Sequence, residues 1–357
     1  MAAHTKKQWL ATLGCILGRI LITLLVTVLL VVFALYCVMF VVAKGPSPTA
    51  RDLFVLSVRE TSAVGFLANL FFTEEEIAQI EAGSGEEESV DSDPSLIVIP
   101  QPTEPSAGGD TGPKPDAWGL VDEDGDGIII DPIRGEGFQG YMMVVLDPSR
   151  VIMAAKPEDF GIRGYTVEEM VKEFDAVAGI NAGGFYDPNG QGNGSIPDTL
   201  VVSGGTVYYP ENGVSQGFAG FDSNHILHVG RFSVSQIKER DIQSGVCFGP
   251  VLVANGEGVK SNFSGVNPRT GIGQRSDGAV LMLVIEGRQV TSLGATYQDM
   301  TDIFLSYGAV NACNLDGGSS SMMWYKNSYV NQCASVVGIR PLPTTFLVLK
   351  EGVKQDG

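Results

Sequence analysis

The sequence predicts the α+β class: a mixed, mainly β core with a few packed helices, preceded by one transmembrane helix and a helical stalk. Three observations carry this. From Ile20 to Ala43 there are 24 residues without a charge, and about 20 suffice for a helix to cross hydrocarbon. Beyond residue 118, short β-branched and aromatic runs alternate with Gly, Asn, Asp and Pro clusters, as strands alternate with turns. Within that region TVEEMVKEFDA from Thr166 and TYQDMTDIFLSYGA from Thr296 have the apolar spacing of amphipathic helices.

Composition narrows the class further. The chain has 357 residues, 44% hydrophobic and 18% charged, with a formal net charge of −18. The length suits one large domain or two ordinary ones. The hydrophobic content excludes a wholly disordered chain, and the acidity excludes a nucleic-acid binder that needs a basic footprint. The acidity is shared: residues 118 onward carry −11 and the stretch before them −7.

In chain order, residues 1–19 are a cytosolic tail and 20–43 the span, read as an uncleaved signal-anchor because a cleavable h-region runs to only roughly 7–15 residues. Lys6, Lys7 and Arg19 before the span balance Lys44, Arg51 and Arg59 after it, so the positive-inside count is a tie. The long acidic remainder decides the orientation: a single-pass protein of the cell membrane, N-terminus cytosolic and C-terminal domain extracytoplasmic. Residues 44–80 form the stalk. Leu53, Phe54, Val58, Val64, Leu67 and Phe71 recur at helical spacing, and Thr73 with Glu76 is a capping box for a second helix through Ile80. A stalk shielding its own apolar face is preferred to a dimerisation or membrane-surface element. Residues 81–117 are an acidic Pro/Ser/Gly linker, extended and solvated, with LIVIP at 96–100 as a candidate strand. The domain proper is 118–350, with strands in GIIID, YMMVVLD, TLVVSGGTVYY, AVLMLVIEG and TTFLVLK, and 351–357 is a tail. Of five cysteines, Cys247, Cys313 and Cys333 lie in the body; at most one bridge, Cys313 with Cys333, is compatible with that count, and buried thiols are the favoured reading.

Several motifs resemble chemistry weakly. DEDGDG at 122–127 opens like a calcium loop, but its twelfth position is Ile133 rather than the bidentate Glu. GGSSS at 317–321 lacks a nucleophile elbow, and His225 and His228, the histidines within reach of a body domain, read as surface residues. GIGQRS at 271–276 lacks dinucleotide-binding spacing. No cofactor is required by these residues; Ca²⁺ or Mg²⁺ held by oxygen ligands is compatible with them, and any metal ligands are unassigned.

The stronger signals are INAGGFYD at 180–187, NPRTGIG at 267–273, IEGR at 285–288 and NACNLDGGSSSMM at 311–323. Each follows an apolar run and carries polar side chains beside glycines that let a backbone approach a ligand. Singly, each reads as a turn; Asp316-Gly317-Gly318 alone is more often a tight turn than a catalytic loop. Together they assemble two carboxylates, Asp316 and Glu286, two guanidinium groups, Arg269 and Arg288, and the amides of Asn181 and Asn314. Two carboxylates plus arginines fit hydrolysis of an anionic sugar derivative.

In order and approximate spacing, NAGGFY, the GP of CFGPVLVANG, NPRTGIG, EGR and NACNLDGGSSSMM resemble the phosphodiester glycosidases, relatives of the mannose 6-phosphate uncovering enzyme, over roughly Tyr141 to Leu349. The resemblance implies an α+β glycosidase domain with its site at these loops, acting on an N-acetylglucosamine-like sugar-1-phosphodiester in envelope or exopolysaccharide material. It implies Asp316 and Glu286 as catalytic carboxylates. It implies substrate binding by Arg269, Arg288, Asn181, Gly183, Gly184, Thr270, Asn314, Gly317, Gly318, Ser319 and Ser320. The family has Asp-Gly-Arg where this chain has Glu286-Gly287-Arg288, one methylene longer. The alternative reading is a non-catalytic glycan-binding or scaffold protein of exopolysaccharide assembly, presenting Tyr186, Tyr208 and Tyr209 as platforms. Partners are then the glycan or sugar-phosphodiester substrate and the membrane, with no nucleic acid.

Overall fold

The structure is a computed structural model, described here for residues 2–61, 64–83, 90–100, 114–208, 217–260, 264–335 and 338–352. Helix α1 (Ala2–Lys44) contains the apolar run, and its most apolar 18-residue window has a mean hydropathy of 3.0 with none of it buried. Among the described residues it is the one helix long and apolar enough to cross a membrane. The Thr27 hydroxyl donates to the Thr23 carbonyl one turn back, so this polar group is satisfied inside the helix.

Ser47 caps α2 (Pro48–Arg59), accepting from the Ala50 N–H, with Pro48 at the first helical position. A one-turn α3 (Phe66–Asn69) follows, and α4 (Glu74–Gly83) begins at the expected Thr73–Glu76 capping box. Val55, Ala68, Phe72 and Ile77 bury one another against Ala43 at the end of α1. The self-shielding is partial, because Phe66 and Leu70 remain exposed. The stalk is also fastened to the body: Ser57 Oγ accepts from the Val266 N–H at 2.9 Å.

The described part of the linker is fastened to the body at a few points, while most of its residues stay exposed. Asp91 pairs with Arg240 at 2.7 Å, Ile97 is buried, and Asp116 pairs at 2.7 Å with Arg275, which is stacked on Trp118. Arg275 is itself buried, so Asp116 together with Asp277 at 2.8 Å supplies the countercharge that a buried guanidinium requires. LIVIP forms no strand; it makes one ladder-like bond, from the Val98 N–H to the Ser276 carbonyl.

Three antiparallel sheets build the body. The first has seven strands in the spatial order Ile128–Gly135, Phe138–Val145, Val280–Ile285, Arg269–Arg275, Ala309–Leu315, Val251–Ala254 and Glu257–Gly258. The second orders Ser328–Tyr329, Met323–Tyr325, Ala176–Asn181, Thr344–Leu349 and Val151–Ala155; the third orders Thr206–Tyr208, Val201–Ser203, Ile242–Phe248, Gly217–Asp222 and Leu227–Gly230.

Their inner faces meet in one core, where Met143, Val284 and Ile272 pack with Ile180, Phe346, Ala219 and Val246. Each outer face is covered by a helix. Phe304 and Met300 of α7 (Tyr297–Ser306) cover Met142, Leu281 and Leu283, while α5 (Val167–Glu173) and α6 (Val234–Glu239) cover the second and third sheets. Burial on both faces explains why YMMVVLD and AVLMLVIEG read as continuous apolar runs rather than alternating ones. Burying a side chain such as Phe304 contributes about 1.5–3 kcal/mol. Gly271 and Gly273 allow the contact, since a Cβ on either would stand 2.9–3.0 Å from the Phe304 ring.

Candidate active site

The site forms where two sheets are stitched at their strand ends. Strand Ala309–Leu315 of the first sheet runs into Asp316, whose N–H donates to the Ala182 carbonyl at 2.9 Å. Asn181, ending strand Ala176–Asn181 of the second sheet, answers with its side-chain amide to the Asp316 carbonyl at 2.5 Å. The Asn181 side-chain oxygen accepts from Thr270 Oγ1 and the Met322 N–H. One buried amide thus joins three segments of the sequence motifs and holds the Asp316 backbone in place.

Asp316 faces a pocket of about 390 Å³, walled by Gly184, Phe185 and Phe248 on one side and by Gly317, Gly318, Ser319 and Ser320 on another. Its residue retains some solvent contact through the pocket, but protein encloses the carboxyl group. Lost hydration pushes its pKa up to about 7; Asp198 adds to the rise, while Ser320, Arg340 and the Gly317 N–H oppose it. Asp198 lies on the same wall, where partial desolvation raises its pKa too. Gly184 is needed for this juxtaposition, since a Cβ there would meet the Asp198 carboxylate oxygens at 2.8 and 2.9 Å.

Three arginines border the pocket in different states. Arg340 is held by both carboxylate oxygens of Asp187, at 2.6 and 2.7 Å, over the Phe185 ring. Arg269 is buried: it donates to the Gly265 and Ala295 carbonyls, stacks on Tyr297 and pairs with Glu60 of the stalk at 2.7 Å. Arg288 donates to Thr61 Oγ1 and the Asn267 side-chain oxygen, and among the described residues no carboxylate lies within ion-pair distance of it. Its backbone is left-handed, φ +58°, which turns this exposed side chain toward Gly318.

The structure therefore brings Asp316, Arg269, Arg288, Gly184, Gly317, Gly318, Ser319 and Ser320 to one pocket. It sets the other expected site residues behind it. Glu286 does not line the pocket. Its buried carboxylate accepts from Gln139 Nε2 and from the Gln332 N–H, both at 2.7 Å, because it follows the central strand Val280–Ile285 into the sheet interior. Asn181 and Thr270 brace the Asp316 loop, the Gly183 N–H donates to Thr344 Oγ1, and Asn314 Nδ2 donates to the Gly249 carbonyl. Asp198, Asp187, Arg340, Tyr297 and the stalk pair Glu60 and Thr61 complete the wall. Asp187 stood in plain view at the end of INAGGFYD, but Asp198 and Arg340 carry no local motif.

The weak motifs resolve as well. Asp122, Asp124 and Asp126 converge, yet Lys326 pairs with the latter two and Asp122 caps the turn through the Gly125 and Gly127 N–H groups. No disulfide joins Cys313 to Cys333, and Cys313 lies against the Pro250 carbonyl. His228, expected at the surface, is buried and bonded to Asp222 at 3.1 Å. Tyr186 is exposed, Tyr208 packs edge-on against Phe160, and Tyr209 lies outside the described residues.

The pocket sets two carboxyl groups of raised pKa beside guanidinium groups and glycine-rich backbone, an arrangement suited to hydrolysis. Residues 174–349 match the family model of the phosphodiester glycosidases. The SPbeta prophage-derived uncharacterized protein YomE of Bacillus subtilis (strain 168) is 31% identical over 180 residues, covering 46% of this chain and 27% of YomE. The chain thus spans about a quarter of that relative's length. The zebrafish N-acetylglucosamine-1-phosphodiester alpha-N-acetylglucosaminidase catalytic domain, auto-inhibited by its pro-peptide, shares the fold. Its TM-score is 0.52 at 20% identity, over 63% of this chain and 82% of that one.

Proposed function

We propose that the chain is a membrane-anchored, extracytoplasmic glycosidase that hydrolyses a sugar-1-phosphodiester, N-acetylglucosamine-like, in envelope or exopolysaccharide material. The observation that carries this reading is Asp316, pushed up to about 7 on a pocket wall shared with Asp198 and bordered by Arg288. Asp316 acts at the anomeric centre as base or nucleophile. Asp198 is the second carboxyl group, in the role that Glu286 is too remote to fill. A phosphate monoester departs with the electron pair of the glycosidic bond, and being a good leaving group it asks little of a general acid. Arg288, without a carboxylate partner among the described residues, receives the phosphate. Helix α1 supplies the anchor, its length and apolarity matching a bilayer.

The test is release of free sugar and phosphomonoester from an N-acetylglucosamine phosphodiester by the full chain, with Asp316→Asn beside it. Release by the native chain alone supports the assignment; equal release by both overturns it. Binding of the sugar phosphodiester without turnover would instead favour a glycan-binding module, the reading for which exposed Tyr186 beside the pocket speaks.

A further inference from the structure

The pocket is joined to the apolar helix by a short and well-packed path. Glu60 and Thr61, which line it, follow α2 directly, and α2 has 12 residues. At 1.5 Å per residue α2 is only about 18 Å long, and Val55 within it packs with Ala43 at the end of α1. Ten residues beyond Thr61 the chain has already returned to α1: the Phe71 ring lies 5.5 Å from Tyr36 and 6.4 Å from Phe40, both within the apolar run. Phe66 and Leu70, between these points, are 62% and 54% exposed. Residues flanking the pocket wall repeat the pattern. Val290 and Leu293 lie on the turn that follows Arg288 and are 102% and 62% exposed, Tyr186 stands between Phe185 and Asp187, and Ile339 precedes Arg340. A polar pocket beside exposed apolar side chains, in continuity with a membrane-length helix, is the arrangement expected at a lipid surface.

We infer that the pocket opens at the surface of the bilayer that α1 enters, and that its substrate is a sugar-1-phosphodiester carried on a membrane lipid; this rests on the anchored-glycosidase reading. The bilayer covers Phe66 and Leu70 and meets Val290 and Leu293, while Arg288 and Asp316 receive a headgroup standing just above the acyl chains. The hydrogen bonds from Arg288 to Thr61 and from the Val266 N–H to Ser57 keep the body from swinging away.

Two measurements on the full chain reconstituted in phosphatidylcholine vesicles test this. Val290→Trp adds a fluorophore, and brominated acyl chains are expected to quench most of the added emission; unquenched emission overturns the placement. Hydrolysis of an N-acetylglucosamine phosphodiester of a long-chain alcohol in the vesicles is then compared with that of the methyl diester in solution. Confinement of enzyme and substrate to one surface is expected to favour the vesicle-borne substrate by about tenfold or more in kcat/KM. The Val290→Ser, Leu293→Ser variant, still confined to the vesicle by α1, should lose part of that preference while keeping its rate on the methyl diester. Equal rates on both substrates overturn the lipid assignment. Release from neither overturns the glycosidase reading instead, and the quenching still decides the placement.

Discussion

The carboxylate of Glu60 and the guanidinium of Arg269 lie 2.7 Å apart although 209 positions separate them in the chain. Glu60 closes the helix that follows the apolar run, whereas Arg269 opens a central strand of the body. Glu60 also accepts from the Gly265 N–H and from Asn267 Nδ2, both at 2.9 Å, so removing it strands three donors, one of them a buried charge. Glu60→Ala should therefore cost about 1–3 kcal/mol. Glu60→Gln, which keeps an acceptor, should cost less. Thermal unfolding of the full chain checks the order, and unchanged melting of the Ala variant would contradict the pairing.

Asp316 predicts a pH dependence of stability. Its folded pKa of about 7 exceeds its ordinary value of 3.8, so the folded state holds the proton more tightly than the unfolded state does. The contribution of this group is most favourable below pH 4, is lost as pH rises toward 7, and is level above that. The loss is at most about 1.4 kcal/mol per pH unit, reduced by water reaching the carboxyl through the pocket. Asp316→Asn removes it. The melting difference between variant and native chain should grow in the variant's favour from pH 4 to 7, and a constant difference would contradict the raised pKa.

Asp198 predicts a pH–rate profile. Its charge helps to raise the Asp316 pKa. If Asp316 is active as the carboxylate, kcat/KM rises with pH through that pKa, and Asp198→Asn should move the rise to lower pH. An unmoved limb would show that the two carboxyl groups do not interact.

Arg288 and Arg269 should behave differently. Arg288→Ala is expected to raise KM for an anionic substrate by about ten- to a hundredfold, corresponding to loss of a charge-assisted contact of 1.5–3 kcal/mol, and to leave a neutral glycoside little affected. Arg269→Ala should chiefly lower the melting temperature, because its guanidinium is spent on the Glu60 carboxylate and two carbonyls. Parallel Michaelis kinetics and melting curves decide between them.

Glu286→Gln should keep turnover within a few-fold, since the amide oxygen can still accept from the Gln332 N–H. Loss of kcat at unchanged stability would return Glu286 to the chemistry.

Local pattern was enough for the elements and for much of the pocket. The amphipathic spacing after Thr166 and Thr296, the apolar strands and the 20–43 run are properties of neighbouring residues, and they formed as helices and strands at those places. Asp316 and the glycines after it were legible in the same local way, as a glycine-rich turn at the end of an apolar strand.

The tertiary structure decided what depends on distance in space between segments remote in sequence. Glu286 and Asp316 look alike as acids after apolar runs, but one strand end points into the sheet interior and the other into the pocket. Asp198 was invisible because its meaning comes from Asp316, 118 residues on, and from the missing Cβ of Gly184. The stalk read as a helical element shielding its own apolar face because its polar terminus, Glu60 and Thr61, acquires a role only when Arg269 and Arg288 are brought to it. Periodicity and turn chemistry act over a few residues, whereas charge compensation and desolvation act between whichever groups the packed sheets set side by side.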